Sequence, residues 1–248
     1  MFAAIAPHGG LAIEDACTPE ERGVAAATRA GMQVLGRLFG AARPQAVIVA
    51  TPHNVHIPNA MGVVVSGRVS GRLAGAPPSI ALDIPTEQSL AWLVLESLAS
   101  AKVPAVAVSF GANHPAEAIA PMDWGTLIPL WFMGGRNNPP VPLVVVTPSR
   151  DLSAADHIRA GAAIAEAAVA SGLRVALIAS ADHGHAHVAN GPYGFDPAAK
   201  KYDELICELV RDGRLEGLAR IPLELVEDRK STRLNSSHSS PSRMPSSA

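Results

Sequence analysis

Cysteine is nearly absent from this chain: Cys17 and Cys207 lie far apart with no metal-type spacing, so neither a disulfide framework nor a thiolate zinc site is indicated. Aromatic residues make up 4% and charged residues 17%, and the formal net charge is -2. Such a surface offers no basic footprint for a phosphate backbone and few platforms for stacked bases, which argues against nucleic acid as a partner. Long apolar runs are missing as well. The start, MFAAIAPHGG, has no basic stretch and meets Pro7 and His8 before an apolar segment develops, and no later run is long enough to span a bilayer. The expectation is a soluble, cytoplasmic protein with neither membrane nor nucleic-acid partner.

What is present is core. A chain of 248 residues that is 48% hydrophobic can bury one large interior. Short β-branched or apolar runs recur at QAVIVATP, MGVVVSG, PAVAVSF, PLVVVTP and LRVALIAS, separated by stretches rich in Ala, Leu and Glu. That alternation predicts an α/β fold, a single-domain sandwich with a central mixed or parallel sheet flanked by helices. Helices are expected over residues 20–39, 86–102, 153–171 and 197–212. The last is the best punctuated, with Asp196 as N-cap, Pro197 in the first turn and Gly213 as a left-handed stop. MGGRNNPPVP reads as an internal loop.

From Asp228 onward the composition turns abruptly to Ser, Arg and Pro, as in a disordered tail. A sharper reading comes from back-translation, since DRKSTRLNSSH and SRMPSSA can be written in the codons of a common short-read sequencing adapter. Residues 228–248, His238 included, are therefore read as an adapter-derived, disordered artefact, and 1–227 as the domain, C-terminally truncated, with the natural sequence expected to continue differently after Glu227.

The remaining histidines carry the chemistry. His8 follows FAAIAP, His53 follows AVIVATP, and the cluster DHGHAH follows LRVALIAS, so three sites sit at the carboxyl ends of expected strands. Ligand crevices of open α/β sheets lie outside those ends, and three such placements together point to a metal site. His53 and His56 compete for one ligand role. His53, nearer the strand, is favoured because a ligand needs rigid placement, which leaves His56 to a second layer or substrate contact. Within the cluster, alternate residues of an extended strand point the same way, and one of them can act chemically. His114, before Pro115, either lines the crevice or closes a turn, and His157 is assigned no role.

With APHGG, VIVATPHNVHIPN, PMDWGTLIPL and SADHGHAHVANGPYGFDPAAKKYDELI in order, the chain from Ala6 to about Glu227 resembles the class III extradiol ring-cleavage dioxygenases, the LigB-like superfamily of catalytic B-type subunits. The resemblance implies non-haem Fe(II) in a site of two histidines and one carboxylate, with a catechol or aminophenol and O2 as substrates. It maps the two iron-binding histidines onto His8 and His53 and the acid–base histidine onto His185, with His187 as runner-up. His183 falls in a supporting position, Asp182 either orients a histidine or caps the local turn, and Tyr193 either contacts substrate or, as the favoured role, packs. In two places the sequence departs from the family pattern. The carboxylate ligand is a glutamate from a helix expected beyond Glu227, so the third metal ligand is not present in this chain, and neither Glu224 nor Glu227 has a matching context. Trp124 stands where many relatives carry a substrate-side histidine.

The implied reaction opens the aromatic ring to a semialdehyde acid, with His185 first taking and later returning a proton, as an imidazole of reference pKa about 6.5 can do near neutral pH. The family also implies a homo-oligomer or a hetero-oligomer with a small subunit. Two other readings stay open: a zinc-dependent hydrolase or ring opener, since zinc accepts the same donors, and a metal-free binding relative without enzymatic activity.

Overall fold

The computed structural model describes residues 2–77, 79–191 and 193–228, side chains excepted at 227 and 228. Apart from Asp228, the segment read as adapter-derived therefore lies outside the described residues. The chain forms two compact units, one ending at Asp182 and the other starting at His183.

The first unit is built on a six-stranded sheet. Its strands are β1 (Phe2–Pro7), β2 (Ala46–Ala50), β3 (Met61–Val64), β6 (Ala105–Val108), β8 (Leu143–Thr147) and β9 (Val175–Ala181). They lie in the order β1-β9-β2-β8-β3-β6, with every neighbouring pair parallel except β3 and β8. All six match the apolar runs read from the sequence, so the expected α/β class with a central mixed sheet is what the chain builds. The inner strands β2, β3 and β8 are almost wholly buried, as continuous apolar runs require when both faces of a sheet are covered.

Strand alternation divides the interior in two. Val47, Val49 and Val145 point to one face, where they pack with Met32 and Phe39 of α1 (Ala26–Ala42) and with Leu127, Ile128 and Leu130 of α3 (Trp124–Phe132). Ala46, Ile48, Val144 and Val146 point to the other, against Leu90, Val94 and Leu98 of α2 (Gln88–Ser100) and Ala160, Ala163 and Ala167 of α4 (Ala154–Ala170). Each fully buried aliphatic side chain contributes roughly 1.5–3 kcal/mol of transfer free energy.

Two features were not foreseen. A small sheet, β5-β4-β7, joins β4 (Arg68–Arg72), β5 (Ala81–Pro85) and β7 (Ile119–Pro121), and its Val69, Leu82, Ile84 and Ala120 enter the α1–α3 side of the core. These strands have only three to five residues, and β4 carries Arg, Ser and Gly, so alternation has too short a run to register. The helix α3 is buried from Gly125 to Leu130, and a helix that is apolar all round has no stripe to read. Pro129 inside it further disguises the pattern.

One expected boundary is corrected. The first helix begins at Ala26 rather than residue 20, because residues 18–25 fold as turns in which the Glu21 carboxylate accepts from the Thr18 amide at 2.9 Å. The other three helices match closely. In α4, Ser153 and Asp156 form a reciprocal capping box.

The second unit contains a loop, then α5 (Pro197–Arg211), a 3-10 segment at Leu215–Arg220 and α6 (Leu223–Asp228). Asp196 caps α5 by accepting from the Ala198 amide at 2.8 Å, and Gly213 adopts φ +69° just beyond its end, both as the sequence suggests. Among the described residues, no helix is long and apolar enough to cross a membrane.

Candidate metal centre

Parallel pairing of β1, β9 and β2 brings their carboxyl ends side by side, with Pro7 opposite Ala181 and Ala50 opposite Ala179. His8 leaves β1 and His53 leaves β2, flanking the end of β9. Their Nε2 atoms meet at 3.0 Å with the rings perpendicular. Two residues 45 apart in sequence thus share one point in space.

The state of His8 follows from its partners. Its Nδ1 lies 2.9 Å from the Ser180 hydroxyl, and that hydroxyl donates its proton to the Gly125 carbonyl at 2.5 Å. Ser180 has one proton to give, so towards His8 it is an acceptor and His8 Nδ1 carries hydrogen. Nε2 of His8 therefore presents a lone pair. Gly125 has its carbonyl available because the residue four positions on is Pro129, which has no N–H to close the helical bond. A proline in α3 thus reaches the tautomer of a histidine on β1 through two hydrogen bonds. His8 is also almost fully buried, at 3% exposure, so its tautomer is not exchanged freely with solvent.

The segment after His8 is tied down by Arg29 of α1, whose guanidinium donates to the carbonyls of Leu11, Ala12 and Arg22. On the other side Asp123 organises the surroundings of His53. Its carboxylate accepts from the Thr51 hydroxyl at 2.7 Å, the Thr126 amide at 3.0 Å, the Thr126 hydroxyl at 2.8 Å and the Asn54 amide at 3.1 Å. It caps α3 and at the same time holds the residues two before and one after His53. Trp124, half exposed, stacks on the His53 ring at 4.2 Å between centroids. Gly125 is obligatory in this corner, since a Cβ there would lie 2.6 Å from Thr51 Oγ1 and 2.9 Å from Asp123 Oδ1. Beside His53 opens a pocket of about 240 Å³ lined by Asn54, Val55, Phe110, Pro121, Met122 and Asp123.

Other nominated residues of this unit sit elsewhere. His56 faces Asp151 at 3.9 Å on an exposed surface, so the choice between the two histidines of this loop falls on His53 for proximity to His8. His114 caps a 3-10 turn, its Nδ1 accepting from the Ala116 amide at 3.2 Å, which is the turn alternative for that residue. Asp182 directly follows β9 and is exposed. His157 donates through Nδ1 to the Ser153 carbonyl at 2.9 Å in the first turn of α4.

In the second unit, His185 donates from Nδ1 to the His183 carbonyl at 3.0 Å, which leaves the lone pair on Nε2, and its ring meets Tyr193 edge-on at 5.0 Å. His183 lies 6.1 Å from the Tyr202 ring. His187 pairs with Asp203 at 3.0 Å, and the second oxygen of that carboxylate accepts from the Gly184 amide at 2.7 Å. Asp203 therefore orients one histidine and the loop that carries the others.

Sequence reasoning missed Thr51, Asn54, Asp123, Gly125, Arg29 and Ser180 as supporting residues. All but Arg29 stood inside the quoted motifs, but the bonds that join Ser180 to His8 and Gly125 and Asp123 to Thr51 span 55 to 172 residues, and no local pattern reveals them. Among the described residues, no group of three or more His, Cys, Asp or Glu is arranged to hold a metal ion. The histidine pair offers two of the donors such a site would need.

Protein CA_C1420 of Clostridium acetobutylicum is 23% identical to this chain over 221 residues, an alignment covering 89% of the chain and 47% of that protein. The chain thus spans about half the length of this curated relative. A family profile described as the catalytic LigB subunit of aromatic ring-opening dioxygenase matches residues 3–238, which includes the first part of the segment after Glu227. With a match across nearly the whole chain, and with buried His8 and half-buried His53 meeting at the ends of parallel strands, the protein belongs to the LigB family of aromatic ring-opening dioxygenases.

Proposed function

We propose that this protein is a non-haem Fe(II)-dependent extradiol dioxygenase that opens the ring of a catechol or aminophenol with O2. The observation that carries the reading is the His8–His53 pair, with one nitrogen lone pair oriented by Ser180. Two nitrogens bound at about 2.1 Å to one ion, at right angles, stand about 3.0 Å apart. The Nε2 separation of 3.0 Å fits that geometry without rearrangement. Neutral imidazoles are suitable donors for Fe(II), and Ser180 supplies the outer hydrogen bond that orients such ligands. The third donor is, in this reading, a glutamate that is not present in this chain.

Fe(II) held there would supply adjacent positions for the substrate's ortho oxygens and for dioxygen, together with an electron path between them. The protein's share is binding and proton handling. In neutral His8 the Ser180 hydroxyl, as acceptor, keeps the hydrogen on Nδ1 and the lone pair on Nε2. Phe110, Pro121, Met122 and Val55 give the pocket beside His53 an apolar wall suited to a flat ring, and Trp124 covers one face of His53. The acid–base part is assigned to His185 on the family motif, and its Nε2 lone pair is the atom that would receive a proton from a ring hydroxyl. A small partner subunit and a cytoplasmic setting belong to the same reading.

The test is anaerobic loading with Fe(II) or Zn(II), metal quantification, and oxygen uptake with catechol and 2-aminophenol. With the third, carboxylate ligand restored, Fe(II)-dependent oxygen consumption matched by a ring-opened chromophore is expected, whereas this chain by itself should bind metal weakly and turn over little. His8→Ala and His53→Ala should each lower metal content by more than about tenfold. Activity with Zn(II) in the absence of oxygen would replace this reading with a zinc-dependent one, and unchanged metal content in both variants would remove the site from His8 and His53.

A further inference from the structure

Negative charge is unevenly spread along this chain. Residues 22–82 contain no Asp or Glu, and neither do residues 124–150, although the formal net charge of the whole is -2. The first stretch contains α1 and the second contains α3 with the turn that follows it. Where they meet, Gln33, Gly36 and Arg37 of α1 and Trp131, Phe132 and Arg136 line a pocket of about 430 Å³. It shares no lining residue with the pocket beside His53.

The pocket has a fixed floor and one oriented cation. A Cβ at Gly36 would stand 2.6 Å from the Phe132 carbonyl oxygen, so the two helices touch at backbone level and cannot close the cavity further. Arg136 lies with its guanidinium carbon 4.7 Å from the centroid of the Trp131 ring. Stacking on an indole holds a guanidinium by its face and leaves its N–H edges for other partners. Among the described residues, neither Arg37 nor Arg136 takes part in an ion pair, whereas Arg68, Arg159 and Arg214 each have a carboxylate. The residues that line the pocket with Arg37 and Arg136 include no carboxylate. Two guanidinium groups bordering one concavity, with no internal counter-charge, form a receptor for oxyanions, since each fork matches two oxygens of a phosphate or carboxylate.

We infer that this pocket is a second ligand site, separate from the histidine pair, and that it binds a small multivalent oxyanion through Arg37 and Arg136, with the Gln33 amide available to a polar edge of the ligand. The shared chemistry is a cluster of anionic oxygens, carried either by phosphate groups or by carboxylates. The pocket volume admits a ligand of small-metabolite size.

Calorimetric titration of the full chain with pyrophosphate and, separately, with phthalate, both at constant ionic strength, tests the site. Saturable binding of at least one anion is expected, and the responding anion tells phosphate from carboxylate. Arg37→Gln and Arg136→Gln should each weaken binding by about tenfold or more, with a further loss in the double variant. Arg136→Lys, which keeps the charge and loses the fork, should also weaken it and serves as a second variant if Arg136→Gln does not fold. A change in tryptophan emission on binding should disappear in Trp131→Phe. Absence of saturable binding with both anions, or binding that survives the double substitution, overturns the assignment.

Discussion

Two histidine sets in this protein are held by opposite means. His8 and His53 leave parallel strands and are placed by the sheet, and the Ser180 hydroxyl on the His8 ring and the contact between the two rings join residues distant in sequence. The set from His183 to His187 lies on a loop and is placed locally, by the His183 carbonyl and by Asp203 of the helix that follows. The first is buried at His8, with a tautomer dictated by Ser180, while the His187–Asp203 pair is more than one-third exposed on both sides. A histidine fixed from a sheet end has few geometries open to it and suits a metal, which tolerates little positional error. A histidine on a loop held by one carboxylate can reorient, which suits a group that exchanges protons.

The comparison can be broken at each of its supports. The largest effect is expected from Ser180→Ala, which leaves His8 Nδ1 and the Gly125 carbonyl without their shared hydroxyl. Metal affinity measured by competition with a chelating dye should fall about 10- to 100-fold. Unchanged affinity would mean that Ser180 does not orient His8. Gly125→Ala should come next, costing about 1–3 kcal/mol in urea unfolding, because its Cβ would press on Thr51 and Asp123 at 2.6 and 2.9 Å. A stability equal to the parent would show that this corner relaxes easily. The smallest effect is expected from Asp203→Asn. That pair is substantially exposed, so its contribution to stability should stay below about 1 kcal/mol, while the His187 ring signals in NMR should broaden or shift. A large loss of stability there would show that the loop is held as rigidly as the sheet ends.

Much of the architecture was legible because it rests on strand composition. QAVIVATP and PLVVVTP became β2 and β8, both almost wholly buried, since only a sheet covered on both faces accommodates such runs. Ser153 and Asp196 marked helix starts by side-chain chemistry that acts over two or three residues. The helix α3 and the small sheet were not legible. An all-apolar helix interrupted by Pro129 has no amphipathic period, and β4, β5 and β7, at three to five residues, are too short for alternation to register.

For the site, residue type and strand-end position were enough to nominate His8 and His53. Sequence could not say that their Nε2 atoms meet, that His56 turns to Asp151 instead, or that Pro129 releases the carbonyl on which Ser180 and, through it, His8 depend. By itself the sequence determined the α/β class, the inner strands, most helix ends, the carboxylate-free segments and the histidines worth considering, because those properties are local or compositional. Tertiary structure alone decided which histidines share a point, which nitrogen carries the proton and where unpaired arginines border a cavity. Each of those depends on strand order and on distances between residues far apart in the chain, and a linear sequence contains neither.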